Sequence, residues 1–154
     1  LTAFPIGIVC VLAGFRHTAI LLGFFISSSV ATHIGRARKL KYSASDVKSG
    51  RNWNQVLASG GVSSVLAVLH IVAHGIGNDM SPFAGPLLAA FVGSFAFGTS
   101  DPWASEIGIL STSQPRMITH WKQVPRGTNG GVTILGTVSS CLGGTLHGLI
   151  AFFL

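Results

Sequence analysis

Six polar residues in the second half of the chain have side chains suited to binding a metal ion and phosphate. They are Asp101, Glu106, Lys122, Arg126, Thr128 and Asn129. The stretch that contains them, 100–136, holds two of the chain's four acids and three of its ten bases, and it lies between strongly apolar segments. Because ionisable side chains are costly near a bilayer, such a cluster predicts a functional site.

The first motif, SDPWASEIG at 100–108, contributes two carboxylates. Asp101 ends an apolar run, and Glu106 follows five residues later. On a helix, five residues turn through about 500°, which places the two side chains roughly 140° apart, so no paired-carboxylate site is predicted. Two roles for Asp101 stay open: the N-cap of a new helix whose first residue is Pro102, or a ligand of a divalent metal ion.

The second motif is WKQVPRGTNGGVTILG at 121–136. Lys122 and Arg126 stand on either side of Pro125, which fixes the backbone. Three glycines allow tight turning and expose backbone N–H groups: Gly127, Gly130 and Gly131. A basic, glycine-rich turn at the start of a helix suits phosphate binding. A membrane-entry loop with the same composition is the alternative, and no Gly-Lys-Ser/Thr follows the glycines, so this is not a Walker A motif.

A third motif, RNWNQVLASGG, occupies 51–61. Arg51 and Asn52 have side chains that bind phosphate, and Trp53 lies where an interfacial aromatic residue is expected. We treat Arg51 and Asn52 as secondary ligand candidates.

The histidines give a weaker signal. His70 and His74 stand four residues apart, a spacing that can chelate zinc, but no third ligand accompanies them. We therefore expect hydrogen-bonded packing at these two residues. His147 lies between Gly144 and Gly148, whose spacing predicts a close contact between helices.

The elements that position these motifs are predicted to be transmembrane helices. Charged residues are only 9% of the 154 residues and the mean hydropathy is +0.59, whereas a soluble domain carries about 25% charged residues. A bilayer core needs roughly 17–20 apolar residues per helix. Charge-free runs occur at 1–15, 17–35, 56–77, 82–100 and 130–154. The fold class is therefore an all-α, polytopic bundle of about five transmembrane helices.

We expect residues 1–154 to form a single membrane domain that is part of a longer protein, because the chain begins without Met and ends inside an apolar run. If the five runs alternate in direction, nine of the ten bases face one side and only Arg16 faces the other. The positive-inside rule then predicts that the basic loops face the cytoplasm or a plastid stroma. No recognition module for nucleic acid accompanies these bases, so nucleic acid is not an expected partner.

Taken together, the three motifs resemble the transmembrane protein 19 family, which includes plant phytyl-phosphate kinases. The resemblance covers roughly 36–154 and rests on the order and spacing of the motifs. Asp101, Ala104 and Gly108 also form an Asp-x-x-Ala-x-x-x-Gly pattern that is similar to the one in dolichol and phytol kinases and phosphatidate cytidylyltransferases. A glycine turn follows it at Gly127, Thr128 and Gly131. Pro102 departs from that pattern, in which a small residue such as Thr usually follows the Asp.

The resemblance implies an enzyme that moves the γ-phosphoryl group of CTP onto a phytyl or polyprenyl monophosphate, with Mg²⁺ as the metal. It implies that Asp101, with Glu106, holds Mg²⁺, and that Lys122 and Arg126 neutralise phosphate charge. The expected phosphate cradle consists of Thr128, Asn129, Gly130 and Gly131, with Arg51 and Asn52 as secondary contacts. The alternatives are a transporter or flippase for a lipid phosphate and a family member without catalytic activity. The expected membrane is that of an endomembrane compartment or a plastid envelope, which the sequence does not distinguish.

Overall fold

The structure, a computed structural model, describes residues 3–35, 53–77 and 85–154. Within them the chain forms five helices and two short strands: α1 (Ala3–Ala13), α2 (Phe15–His33), α3 (Trp53–His74), α4 (Gly85–Gly108), β1 (Arg116–Met117), β2 (Gly131–Val132) and α5 (Ile134–Phe153). This mostly helical architecture agrees with the predicted all-α class. The two-stranded antiparallel sheet is an element that the sequence analysis did not predict.

The core lies where the first four helices meet. Its buried members are Ile6, Cys10, Ala13, Ile20, Leu21, Phe24, Ala67, Phe91 and Phe95. Aromatic contacts join α2 to α4, with ring centroids 5.3 Å apart between Phe24 and Phe95 and 4.6 Å apart between His17 and Phe91. Because both contacts advance along the two helices in the same direction, α2 and α4 run parallel.

A break at Gly14 separates α1 from α2. Its φ of 134° is one that L side chains rarely adopt, so glycine is required here. Arg16 lies between the predicted apolar runs 1–15 and 17–35, and the structure places it in the first turn of α2, half-buried.

The helix α4 does not end where the sequence predicted. It continues through Asp101 and Pro102 as far as Gly108, so the predicted new helix, with Asp101 as its N-cap, is wrong. Proline inside a helix removes one backbone hydrogen bond and would normally favour a break. The helix is held by packing instead, because its last two turns lie directly against α5.

Among the described residues, α4 and α5 form the most extensive contact between two helices. We call it the α4–α5 seam, and it consists of Ser100, Trp103 and Gly108 on α4 and Gly136, Gly143 and Gly144 on α5. A Cβ added at Gly136 would lie 3.0 Å from the Ala104 carbonyl oxygen, and one at Gly143 would lie 2.9 Å from the Trp103 ring. The predicted contact at Gly144 is confirmed, since its Cβ would lie 3.0 Å from Ser100 Oγ. At Gly148 the prediction is wrong, because that position meets nothing within 4 Å.

Judged by length and composition alone, one helix among the described residues, α5, is long and apolar enough to cross a membrane. Two shorter apolar stretches are Phe4–Ala13 and Gly60–His74. Large apolar side chains cover the outside of the bundle: Ile134 is 82% exposed, Phe153 80% and Phe97 78%. Such a surface suits a lipid environment. The count of five spans stays a prediction.

Candidate functional site

The segment that joins α4 to α5, which we call the 109–133 loop, is a folded unit. Its strand β1 pairs with β2, with Arg116 opposite Val132 and Met117 opposite Gly131. On its other side, Arg116 forms a bridge to Gln123. The glycine-rich motif is therefore one strand of a small sheet rather than a simple turn. This sheet displaces the start of the last helix from the predicted residue 130 to Ile134.

Two glycines of the loop adopt left-handed backbone conformations. Gly127 has a φ of 84° and Gly130 a φ of 81°. A Cβ at Gly130 would also lie 3.1 Å from Met117 Sδ. These glycines are therefore needed to build the loop, whatever else they do.

The predicted phosphate cradle is partly occupied by the loop's own hydrogen bonds. The Thr128 hydroxyl donates to the Pro125 carbonyl at 2.8 Å, and the Gly131 N–H donates to the Thr128 carbonyl at 3.0 Å. Among the described residues, no carbonyl accepts from the N–H groups of Asn129 and Gly130. Of the four predicted cradle residues, these two retain backbone donors for a ligand.

The N-terminus of α5 is capped from within the chain. Thr133 Oγ1 accepts a hydrogen bond from the Gly136 N–H at 3.0 Å and donates to the Gly108 carbonyl at 3.4 Å. The Thr133 hydroxyl thus provides a hydrogen-bond partner both for an N–H group at the start of α5 and for a carbonyl group at the end of α4. The predicted phosphate site at a helix start is displaced into the loop that precedes Thr133.

Arg126 ties the loop to the end of α4. Its Nη2 donates to the Thr112 carbonyl at 3.0 Å and its Nη1 to the Ile109 carbonyl at 3.5 Å. Carbonyl groups that follow a helix lack partners within the helix, and a cation there also interacts favourably with the helix dipole. Arg126, predicted to neutralise phosphate, therefore has a structural role that the sequence analysis missed.

Lys122 differs from the other two bases of the loop. Arg116 donates to the Trp121 carbonyl at 3.2 Å, and Arg126 holds the carbonyls just described. The Lys122 side chain is exposed, and its ammonium makes no ion pair or hydrogen bond with any part of the chain that the structure describes. Its charge is available for a phosphate.

The two acids lie on different faces of α4, because the helix is continuous from Asp101 to Glu106. Asp101 is exposed and Glu106 is half-buried. Eight residues separate Asp101 from Ile109, where Arg126 binds, which corresponds to about 12 Å along the axis at 1.5 Å per residue. Glu106 is only three residues from Ile109, roughly 4.5 Å along the axis. The structure thus brings Glu106, and not Asp101, close to the base of the loop.

A divalent metal fits this arrangement in one way only. Residues 3–35, 53–77 and 85–154 contain no group of three His, Cys, Asp or Glu side chains that could hold a metal ion. Mg²⁺, however, is usually bound by one or two carboxylates together with water and substrate phosphates. Asp101 suits that role, as part of a site that a phosphate ligand completes. Arg51 and Asn52 lie outside the described residues.

Histidines occupy the interior of the bundle. The rings of His17 and His70 have centroids 4.5 Å apart, and those of His70 and His74 are 5.1 Å apart. His147 is fully buried, with Nδ1 3.4 Å from the Gly143 carbonyl oxygen. Ring packing is therefore observed at His70 and His74, and the hydrogen bonds predicted for these two residues stay a prediction. The sequence analysis missed His17.

The chain matches the family of integral membrane proteins described as DUF92 over residues 1–154. It belongs to this family. Membership confirms the resemblance inferred from the motifs and the prediction that the chain is embedded in a bilayer. No solved structure matches the chain.

Relatives occur in plants and archaea. The chain is 40% identical over 143 residues to Protein PGR of Arabidopsis thaliana, an alignment that covers 89% of this chain and 50% of the relative. It is 36% identical to an uncharacterised membrane protein of Methanocaldococcus jannaschii, covering 92% of this chain and 54% of that protein. It is 29% identical to Protein VTE6, chloroplastic, of Arabidopsis thaliana, an alignment that covers 92% of this chain and 41% of that protein. The chain thus spans about half the length of these relatives.

Proposed function

We propose that the whole protein transfers the γ-phosphoryl group of CTP to an isoprenoid monophosphate, either phytyl or polyprenyl. The observation that carries the proposal is an exposed carboxylate on α4 together with an exposed ammonium on the loop that follows it, which makes no ion pair or hydrogen bond with the described residues. Asp101 supplies the carboxylate and Lys122 the ammonium. Membership in an integral membrane family supports a substrate that resides in the bilayer.

In the proposed reaction, an oxygen of the lipid monophosphate forms a bond to the γ-phosphorus of CTP. The bond from that phosphorus to CDP breaks, and CDP leaves with its electron pair, so the products are the lipid diphosphate and CDP. Such transfer depends mainly on positioning and charge neutralisation. Mg²⁺, when bound, supplies positive charge to the oxygens of the transferring group.

The residues of this chain have separate tasks in the proposal. Asp101 holds the metal ion together with phosphate oxygens, and Lys122 neutralises phosphate charge from the loop. The backbone N–H groups of Asn129 and Gly130 donate to phosphate oxygens. Arg126 acts through the loop, because its guanidinium holds the carbonyls that anchor the loop to α4.

A substrate panel tests the proposal. Full-length protein in detergent or nanodiscs is incubated with Mg²⁺, either CTP or ATP, and either phytyl or polyprenyl monophosphate. We expect a lipid diphosphate to form with CTP. Failure to form a diphosphate from any lipid and nucleotide pair, by protein that melts cooperatively, would contradict it.

A transporter or flippase for a lipid phosphate is the second candidate, and the buried histidines favour it. His17, His70 and His147 are each fully buried in the bundle. Ionisable side chains inside a membrane protein often mark substrate or proton pathways. Transfer of a labelled lipid phosphate between the leaflets of a proteoliposome, without nucleotide, would favour this function over the kinase.

We also propose that the basic loops face the cytoplasm or stroma. One relative carries "chloroplastic" in its name, which supports a plastid membrane. Single cysteines at positions 45 and 113, in place of two serines, are introduced into a variant whose exposed Cys141 is replaced by Ser. Both sites should react with an impermeant thiol reagent from the same side. Reaction from opposite sides would contradict the alternating five-span topology.

A further inference from the structure

The 109–133 loop exposes two large apolar side chains in a tight turn. The turn belongs to residues 116–123, which we call the 116–123 hairpin and in which the Met117 N–H donates to the Lys122 carbonyl at 2.9 Å. Ile118 and Trp121 lie between these two residues, and they are 65% and 62% exposed. The described residues therefore leave most of both apolar surfaces open to another molecule.

The backbone of Trp121 is held in an unusual conformation. Its φ of 59° lies in the left-handed region, and among the described residues it is the one residue other than glycine with a positive φ. Its N–H donates to the Met117 carbonyl at 2.8 Å, and its carbonyl accepts from Arg116 Nη1 at 3.2 Å. The following N–H group, of Lys122, donates to His120 Nδ1 at 3.3 Å. Residues in such conformations persist where the surrounding structure fixes them, and they cluster at functional sites. The turn thus carries an exposed indole at a position where glycine would be less strained.

The hairpin is tied to the start of α5, the helix that is long and apolar enough to cross a membrane. The Ile118 N–H donates to the Gly130 carbonyl at 3.1 Å, and β1 pairs with β2, which ends two residues before Ile134. Four residues of extended chain span at most about 14 Å. Because Ile134, the first residue of α5, is itself exposed, Ile118 lies within reach of lipid that surrounds the first turn of this helix.

The charge of the loop favours an anionic partner. Residues 109–133 contain three bases, Arg116, Lys122 and Arg126, and no Asp or Glu. The Lys122 ammonium, next to Trp121 in the chain, is exposed and makes no ion pair or hydrogen bond with the described residues. Basic residues beside a bilayer attract acidic headgroups. Tryptophan is enriched at the membrane–water interface, where its ring contacts lipid and its N–H stays hydrated. The composition of the hairpin thus matches the surface of an acidic membrane.

We infer that the 116–123 hairpin docks on the anionic surface of the bilayer, with Ile118 and Trp121 inserted at the boundary between headgroups and acyl chains. The inference goes beyond the proposed reaction and does not depend on it, because it rests on membership in an integral membrane family and on the exposed side chains. Docking holds Lys122 at the level of the phosphate headgroups. A nucleotide base is able to stack on an indole, but Ile118 has no ring, so lipid fits the two side chains better.

Quenching of Trp121 fluorescence by brominated lipid tests the insertion. Full-length protein, without nucleotide, is placed in nanodiscs whose phospholipids carry bromine on the acyl chains close to the headgroup. The difference in emission between the parent and Trp121→Phe isolates Trp121 from the other tryptophans. We expect brominated lipid to remove most of this difference signal, and iodide in the water to remove little of it. Strong quenching by iodide with none by brominated lipid would overturn the inference.

A charge placed in the turn tests the role of Ile118. Ile118→Glu puts a carboxylate where lipid is expected, and a charge is costly at that depth. Gln114→Glu is the matched control, because it adds the same charge at an exposed position of the 109–133 loop outside the hairpin. Each variant is compared with its own Trp121→Phe counterpart. Quenching of Trp121 by brominated lipid should be lost in Ile118→Glu and kept in Gln114→Glu, and equal quenching in both would overturn the insertion.

Selective bromination tests the preference for acidic headgroups. The nanodiscs contain equal amounts of phosphatidylglycerol and phosphatidylcholine, and only one of the two lipids is brominated. One base near the surface corresponds to about fivefold local enrichment of anionic lipid. We therefore expect stronger quenching of Trp121 when phosphatidylglycerol carries the bromine, and a smaller preference in Lys122→Gln and at high salt. Equal quenching by the two lipids in the parent would overturn an anionic docking surface.

Addition of CTP separates the lipid from the alternative ligand. If CTP quenches the Trp121 signal and brominated lipid does not, the indole stacks on the nucleotide base and the docking inference is wrong. The inference and the proposed function also fail separately. If brominated lipid quenches Trp121 but no lipid diphosphate forms in the substrate panel, the kinase proposal is wrong and the docking surface stands.

Discussion

The α4–α5 seam and the 109–133 loop are both rich in glycine and polar residues, but glycine is required for a different structural reason in each. In the seam, a Cβ at Gly136 would meet backbone atoms of α4 at 3.0 and 3.3 Å, so glycine permits the helices to touch. In the loop, Gly127 has open space around it and is required for its left-handed backbone. The seam excludes other molecules, whereas the loop leaves donors and a charge exposed to them.

The same contrast separates two bases that are four residues apart. Arg126 binds the carbonyls of Ile109 and Thr112, which makes it part of the fold. The Lys122 ammonium is exposed and makes no contact of this kind within the described residues. A cluster of bases near a membrane can therefore divide into residues that hold the site and residues that meet the ligand.

The largest effect is expected in the seam. Gly136→Ala should destabilise the protein by about 1–3 kcal/mol, because the new methyl group meets the Ala104 carbonyl and cannot be accommodated by a side-chain shift. Gly148→Ala on the same helix meets nothing within 4 Å and should be neutral or stabilising, by up to about 1 kcal/mol. Thermal unfolding of the two variants in detergent measures the difference. Equal melting temperatures would contradict the prediction that glycine is required in the seam but not on the outer face of α5.

The next largest effect separates the two bases. Arg126→Gln should cost roughly 1.5–3 kcal/mol of stability, the usual value of hydrogen bonds from a charged donor, and it should weaken nucleotide binding as the loop loosens. Lys122→Gln should leave the melting temperature unchanged while lowering nucleotide affinity by about tenfold or more. Unfolding and nucleotide titrations of both variants test this. A Lys122→Gln variant that binds nucleotide like the parent would show that Lys122 makes no phosphate contact.

A smaller effect distinguishes two glycines within the loop. Gly127→Ala should cost about 1 kcal/mol for its left-handed conformation alone. Gly130→Ala has the same backbone requirement and also places a methyl group 3.1 Å from Met117 Sδ, so it should cost more. The ranking of the two melting temperatures is the measurement, and the reverse ranking would show that the Met117 contact is not a constraint.

Local sequence patterns predicted most helices well. The second apolar run, 17–35, corresponds to α2 at Phe15–His33, because hydropathy depends only on the residues of the run itself. The end of α4 was mispredicted for the opposite reason. Asp101 and Pro102 look locally like the start of a helix, and only contacts with residues more than 30 positions later keep the helix intact.

The candidate site, like the fold, was predictable from the sequence only in part. Residue types were enough to select Asp101 and Lys122 as candidates, since exposed charges beside apolar spans are visible in the sequence. The carbonyl partners of Arg126 were not predictable, because they depend on how the 109–133 loop folds back on α4. Ser28 and Trp103 gave no sequence signal, because a buried polar atom without a hydrogen-bond partner among the described residues is visible only in the structure.

Magnesium-dependent nucleotide binding by an Asp101→Asn variant of the full-length protein tests the central claim most directly. Asp101 is exposed within α4 and caps no helix, so the substitution should leave the melting temperature nearly unchanged. It removes the negative charge that a hard cation requires. Ser105→Ala is the control, because that hydroxyl donates to helix carbonyls of Asp101 and Pro102. We predict that Mg²⁺ strengthens CTP binding in the parent and in Ser105→Ala but not in Asp101→Asn; an equal response to Mg²⁺ in all three proteins would contradict the proposed site.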